Sequence, residues 1–136
     1  MLLIEYIFSN REDSSGLKLF SDGRVELVEP ILPIRTSSSY KCIARTIGIY
    51  GMLPERAQTL AQKLDDAGFF RFRADHFPSF MSMTDFYERI TLNNKRGSKT
   101  VCCHGRRPDS AVYVDVAEEL RNYLVLLGGI ANSKTP

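Results

Sequence analysis

Two stretches of alternating apolar and polar residues, 86 to 92 and 99 to 103, flank the run Asn93-Asn94-Lys95-Arg96-Gly97-Ser98. Period-two patterning on both sides of turn chemistry predicts a β-hairpin. A four-residue loop at Asn94 to Gly97 pairs Asn93 with Ser98, Leu92 with Lys99, Ile90 with Val101 and Glu88 with Cys103. Phe86, Ile90, Leu92, Val101 and Cys103 then share the face that packs. Tyr87, Arg89, Thr91, Thr100, Cys102 and His104 share the other, with Tyr87 across from His104 and Arg89 across from Cys102. That second face is expected to meet water or a ligand.

The same patterning organises the chain before it. Leu2 to Ser9 reads as a strand and Asn10 to Ser15 as an exposed polar link. Leu17 to Val28 reads as another hairpin, turning at Ser21-Asp22-Gly23. A two-residue Asp22-Gly23 loop would mix charged and apolar side chains on both faces. A three-residue loop with Gly23 in the left-handed conformation instead pairs Leu19 with Val25, Leu17 with Leu27 and Lys18 with Glu26, and is the preferred register. Glu29 to Ser39 holds two prolines and a serine run, so it is expected to be a surface connection or an edge, and the most mobile segment. Tyr40 to Tyr50 returns to β-branched residues, but Lys41 and Arg45 fall in phase with the isoleucines and leave its facing open.

Helical spacing takes over at Pro54, with Ala57, Leu60, Ala61, Leu64 and Ala67 on one stripe and Gly68 as the stop. Asp109 or Ser110 can cap a second helix whose stripe is Tyr113, Val116, Ala117, Leu120, Leu124 and Leu127, ended by Gly128-Gly129. Residues 131–136 are expected to fray. The order strand, hairpin, strand, helix, hairpin, helix predicts one α+β domain over 1–136: an antiparallel sheet built from two hairpins plus flanking strands, with two helices packed on one face. Phe70, Ile90, Val101, Leu120 and Leu124 are expected to be buried together.

Composition narrows the class without naming a task. A chain of 136 residues with 43% hydrophobic and 25% charged residues has an ordinary globular balance. Its formal charge of +2, from 18 basic and 16 acidic residues, falls short of the strongly basic balance of a dedicated nucleic-acid domain. Glu5 interrupts the apolar N-terminal run and no basic stretch precedes it, so this segment reads as a strand and not as a signal peptide. No apolar run approaches the roughly 18 residues of a membrane-spanning helix. Three cysteines, Cys42, Cys102 and Cys103, without a secretion signal predict free thiols in a reducing compartment, the cytoplasm by default.

Taken together, SGLKLFSDGRVEL, LPERAQTLAQKLDDAGFFRF and TDFYERITLNNKRGSKTV resemble a family of small uncharacterised bacterial domains of unknown function. That family reads as a glycine before a strand, a D-G hairpin turn, a helix ending in G-F-F, and a T-D before a second hairpin with a K-x-V exit strand. The likeness spans about Ile4 to Tyr123 and rests on turns, caps and core positions, so what it implies is the fold. Its members often carry a Cys-Gly-x-Cys-Pro element ahead of the first hairpin and an export signal; Arg11-Glu12-Asp13-Ser14-Ser15-Gly16 stands in that place here. The resemblance implies no catalytic residues.

Several side-chain groups carry potential chemistry. Cys102 and Cys103, adjacent on a strand, point to opposite faces and cannot easily share a tetrahedral ion, so no metal or cofactor site is assigned. Cys102 with His104, near Tyr87 and Arg89, could form a thiol of lowered pKa, the basis of a sensor or enzyme reading. Arg71, Phe72, Arg73, His76, Phe77 and Phe80 interleave cations with aromatics, as single-stranded nucleic-acid binders do, and Lys95, Arg96, Lys99, Arg106 and Arg107 could extend phosphate contacts. Asp65, Asp66, Asp75 and Asp85 come without a nucleophile motif or phosphate loop. Val114, Val125 and Leu126 lie off the buried stripe of the second helix, which predicts a protein partner or a two-fold homodimer there. The expected function is a non-catalytic interaction domain working through the open hairpin face, with Arg71, Arg73 and His76 beside it, or through the outer face of the second helix.

Overall fold

A computed structural model describes residues 1–10, 13–31, 43–77 and 86–129. Seven strands and two helices follow in the order β1 (Leu2–Ser9), β2 (Ser14–Phe20), β3 (Arg24–Pro30), β4 (Ala44–Gly51), α1 (Pro54–Asp66), β5 (Asp75–His76), β6 (Tyr87–Asn94), β7 (Gly97–His104) and α2 (Ala111–Leu126). The strands form one sheet in the order β4-β3-β2-β1-β6-β7-β5. Every pairing is antiparallel except that of β5 with β7. This is an α+β fold.

Both hairpins take the expected registers. In β2–β3, Leu19 faces Val25, Leu17 faces Leu27 and Lys18 faces Glu26. Gly23 sits at φ 91°, a backbone region that costs glycine nothing and a side chain much. In β6–β7, Ile90 faces Val101 and Glu88 faces Cys103, but the ladder runs one pair further, to Asn94 and Gly97. The loop is therefore the two residues Lys95-Arg96 and not the four from Asn94 to Gly97, with Gly97 at φ 125° and Asn94 Oδ1 accepting from the Arg96 amide. Strand β2 also begins at Ser14, inside the expected polar link, because Ser14 and Ser15 pair with Ser9 and Phe8 of β1.

Glu29 and Pro30, expected in a mobile connection, end β3 opposite Arg45 and Ala44. Pro30 lies past the end of the β2–β3 ladder, which stops at Val28 opposite Gly16, so its missing N–H breaks no bond on that side. The remainder of that connection, Cys42, and the tail 131–136 lie outside the described residues.

The helices start and stop where local chemistry says they should. Pro54 occupies the first turn of α1 and Gly68, at φ 88°, follows it. Ser110 caps α2, its Oγ accepting from the Tyr113 amide at 3.2 Å. Buried Ala57, Leu60 and Leu64 of α1 and Tyr113, Val116, Ala117, Leu120 and Leu124 of α2 belong to one cluster with Ile4, Tyr6, Phe8, Leu17, Leu19, Val25, Leu27, Ile90, Leu92, Val101 and Cys103 of the sheet. Ile90, Val101, Leu120 and Leu124 meet as expected; Phe70 does not join them fully. The left-handed Gly68 leads into a tight 3-10 turn, Phe69–Arg71, which sends Phe69 inward to stack on Tyr113 (centroids 6.3 Å apart) and leaves Phe70 half-buried.

The opposite sheet face is less open than the alternation suggests. Ile7 and Val28 are fully buried there, beside Gly16. A Cβ at Gly16 would fall 2.4 Å from the Tyr6 carbonyl oxygen and 2.5 Å from the Ile7 side chain, so the missing side chain is what admits this packing.

Candidate functional site

The hairpin face expected to meet solvent is in large part closed. Tyr87, Arg89 and Cys102 are buried, whereas Thr91, Thr100 and His104 are half-buried. Tyr87 lies across from His104 and Arg89 across from Cys102, as the register requires. The Tyr87 hydroxyl and the Cys102 sulfur are 3.3 Å apart, and the Thr91 and Thr100 hydroxyls 2.8 Å apart. His104 Nε2 donates to Asp75 Oδ1 at 3.1 Å, and its ring lies flat against Phe77 with centroids 4.3 Å apart. Strand β5 thus comes to lie along β7, held by the Cys102 amide donating to the Ala74 carbonyl at 2.7 Å. Sequence spacing carries no signal for it, since Asp75 and His104 are 29 positions apart.

These contacts change the chemistry expected of Cys102. Burial pushes its thiol up, and the Tyr87 hydrogen bond and the Arg89 charge offset this only in part. A thiol of raised pKa holds its proton and is a poor nucleophile, the opposite of the lowered value a sensor needs. Cys103 points to the other face, as adjacent strand residues must, and lies 3.3 Å from the Tyr113 hydroxyl. Burial raises it from 9.0 to about 12. In a Cys42→Ser variant, native protein at pH 8 should therefore react with a thiol reagent only as fast as it unfolds. Rapid stoichiometric labelling of Cys102 would contradict its burial. The sign of linkage follows: the folded state holds the Cys103 proton more tightly than the unfolded chain, so stability falls as pH rises from 9 toward 12.

The residues of the basic and aromatic run scatter. Phe72 packs on Phe69 and Tyr113 in the core, Arg71 and Arg73 are exposed, and Phe80 lies outside the described residues. His76 Nε2 sits 2.9 Å from the Arg73 carbonyl; burial lowers its pKa and the charges of Arg73 and Arg106 add to this. Arg96 pairs with Asp65 at 3.5 Å. Exposed Phe77, with His76, Arg73 and Arg106 nearby, is what remains of the expected stacking platform. On α2, Val125 packs against the core and Val114 is half-buried, which leaves Leu126, 77% exposed, as the open member of the expected self-association patch.

Two features were not anticipated. Glu88, fully buried on the core face, accepts from Arg107 Nε at 2.9 Å and Nη2 at 2.8 Å, from the Tyr6 hydroxyl at 2.7 Å and from the Tyr113 hydroxyl at 3.3 Å. Arg107 Nη1 reaches Glu118 at 2.7 Å. Burial alone would weaken the Arg107 charge, but the Glu88 hydrogen bonds and charge, and then those of Glu118, outweigh it and raise the guanidinium pKa. Tyr6 and Tyr113 are held far above the ordinary tyrosine range, by burial first and then by the Glu88 charge. The two-pronged geometry pins the connection 105–110 and the start of α2 to the sheet. A signal for it existed: Glu88 falls in phase with Ile90 and Leu92, a charge on an apolar face. Arg107, expected to reach phosphates, is spent on this pair.

The second feature is the outer edge of β4. Ile47 is 51% exposed, Ile49 68% and Tyr50 42%, and Ile43 and Leu53 beside the strand are also open. One side of β4 pairs with β3 and is tied to it by Arg45–Glu29 at 3.1 Å and by Thr46 donating to Glu26 at 2.9 Å. The Tyr123 hydroxyl donates to the Gly51 carbonyl at 3.2 Å, which fixes the end of the strand against α2. Among the described residues, no strand pairs with its other side. The facing that the sequence left open resolves because Gly48 and Tyr50 lie opposite core residues Leu27 and Val25, while a bulge at Ile47 shifts the phase of Arg45.

Among the described residues no three His, Cys, Asp or Glu side chains are grouped to hold a metal ion, and no helix is long and apolar enough to cross a membrane. Fold and site together define a small α+β protein with a buried Glu88–Arg107 pair at its centre and exposed isoleucines along one sheet edge. No protein-family model matches the chain, and no curated protein matches it.

Proposed function

We propose that this chain is a non-catalytic interaction domain that receives an extended polypeptide segment on the outer edge of β4. One observation carries the reading: an eight-residue strand whose outer side pairs with no other strand among the described residues and which carries exposed isoleucines. Main-chain hydrogen bonds supply affinity in such strand addition, and pockets for alternate side chains supply selectivity. Support also comes from how the reactive groups are used. Cys102, Cys103 and Glu88 are buried and partnered inside the protein, where each holds structure together. We assign the protein to the cytoplasm on the free state of Cys102 and Cys103, which a reducing compartment preserves.

The test is strand addition itself. A labelled nine-residue peptide copying residues 43–51 should bind the dilute protein and slow hydrogen exchange at β4 amides. The Ile49→Lys variant should bind it about tenfold more weakly or worse, a charge on an edge being the usual block to pairing. Binding that leaves β4 exchange unchanged, or no binding by this or other alternating apolar peptides, would remove the reading.

A further inference from the structure

Helix α1 and the tip of the β6–β7 hairpin border a half-open cleft of about 260 Å³. Gln58, Ala61, Gln62 and Asp65 line it from the helix, where their spacing puts them on one face. Asn93 and Asn94 line it from the end of β6, and Leu3 of β1 completes the lining. Hydrogen bonds fix which way the two glutamine amides are turned. Gln58 Nε2 donates to the Ser21 carbonyl at 3.1 Å and Gln62 Nε2 to Asp66 Oδ1 at 2.8 Å. A carbonyl and a carboxylate only accept, so both glutamine nitrogens are committed and their oxygens stay available as acceptors. Asp65 adds a third acceptor. Its Oδ1 is buried and, among the described residues, accepts no hydrogen bond. The Arg96 guanidinium reaches that oxygen only as a loose ion pair at 3.5 Å, from a side chain 68% exposed.

A buried charged oxygen without a hydrogen bond lowers stability, and its place in the chain adds to the loss. Asp65 lies in the last turn of α1, where the helix dipole is negative and favours a cation. The exposed ion pair with Arg96 offsets little of this. We infer that the cleft is a binding site for a guanidinium group, carried by a small molecule or by the arginine side chain of a peptide. A planar guanidinium offers five N–H donors, enough to serve Asp65 Oδ1 and the glutamine oxygens, whereas an ammonium offers three from one point. The single carboxylate in the lining matches one positive charge; a divalent metal ion bound by protein oxygens gathers several. The volume falls below the roughly 300 Å³ at which drug-sized pockets begin, which suits the end of a chain. Leu3 and Ala61 offer apolar contact to its alkyl stem. Arg96 is the protein's own stand-in, displaced by a guanidinium with better geometry. This site is separate from the β4 edge, so either can fail without the other.

Titration of the full chain with n-butylguanidinium, followed by NMR of the side-chain amides, tests this. Signals of Gln58, Gln62, Asn93 and Asn94 should shift together and saturate. n-Butylammonium should bind more weakly, and uncharged n-butanol should not bind. Asp65→Asn should weaken guanidinium binding about tenfold or more, the size of a lost charged hydrogen bond, without a lower thermal midpoint. Arg96→Ala should bind about threefold more tightly, because an exposed competitor is gone. Glu55→Gln, the same change of charge in the first turn of α1, should bind like the parent. No shift at the highest concentration, shifts that Asp65→Asn leaves unchanged, or equal weakening by Glu55→Gln overturns the proposal. So does an Arg96→Ala variant that binds no better, which would make Arg96 the permanent partner of Asp65. A doubly blocked arginine amide run in parallel separates the sources: tighter binding than n-butylguanidinium assigns the cleft to a peptide arginine, and equal or weaker binding to a small molecule.

Discussion

Arg107→Ala should cost about 3 to 5 kcal/mol of stability, the range for removing one partner of a buried ion pair. Glu88 has no exposed surface, so the charge left behind could reach no water and would keep only the Tyr6 and Tyr113 hydroxyls, at 2.7 and 3.3 Å. Replacing both partners, Glu88→Leu with Arg107→Leu, should cost less than Arg107→Ala alone, since no charge then stays buried without its counterpart. Urea titration of the three proteins reads both effects. A loss for Arg107→Ala under about 1 kcal/mol would mean that the pair is worth no more than a surface contact.

The second large effect separates two neighbouring rings. Phe69→Ala should cost about 3 to 5 kcal/mol, as expected for an aromatic removed from a packed core. Phe69 has no exposed surface and contacts both Tyr113 and Phe72. Phe70→Ala should cost on the order of 1 kcal/mol, the ordinary size for a half-buried position. Equal losses, or the reverse order, would mean that the 3-10 turn after Gly68 is wound differently in solution. The comparison also probes α2, because Tyr113 receives the Phe69 ring on one side and donates to Glu88 on the other.

Both effects sit where reading the chain alone falls short, and the reason is sequence distance. Registers of the two hairpins were legible because a turn and the alternation beside it settle pairing among residues that are close in the chain: Gly23 at positive φ dictates Leu19 against Val25, and Gly97 dictates Ile90 against Val101. Helix limits were legible for the same reason, since Pro54, Gly68 and Ser110 act on backbone groups within one turn. The split of Cys102 and Cys103 to opposite faces needed only the period of a strand.

Tertiary structure decided what those local rules leave undetermined. Glu88 meets Tyr6 from 82 positions away and Tyr113 from 25 positions away, so a carboxylate in phase with apolar neighbours could be recognised as odd but not given its partners. The closure of the Tyr87, Arg89 and Cys102 face and the pairing of His104 with Asp75 depend on β5 coming to lie along β7, which no turn imposes. The status of β4 depends on the order β4-β3-β2-β1-β6-β7-β5: the same eight residues in the middle of the sheet would be core, and at its end they become an edge with isoleucines in water. Local sequence sets how a strand is made, because its forces act within a few residues; which strand is left without a neighbour is set by the packing of the whole chain, because only then is every other pairing already taken.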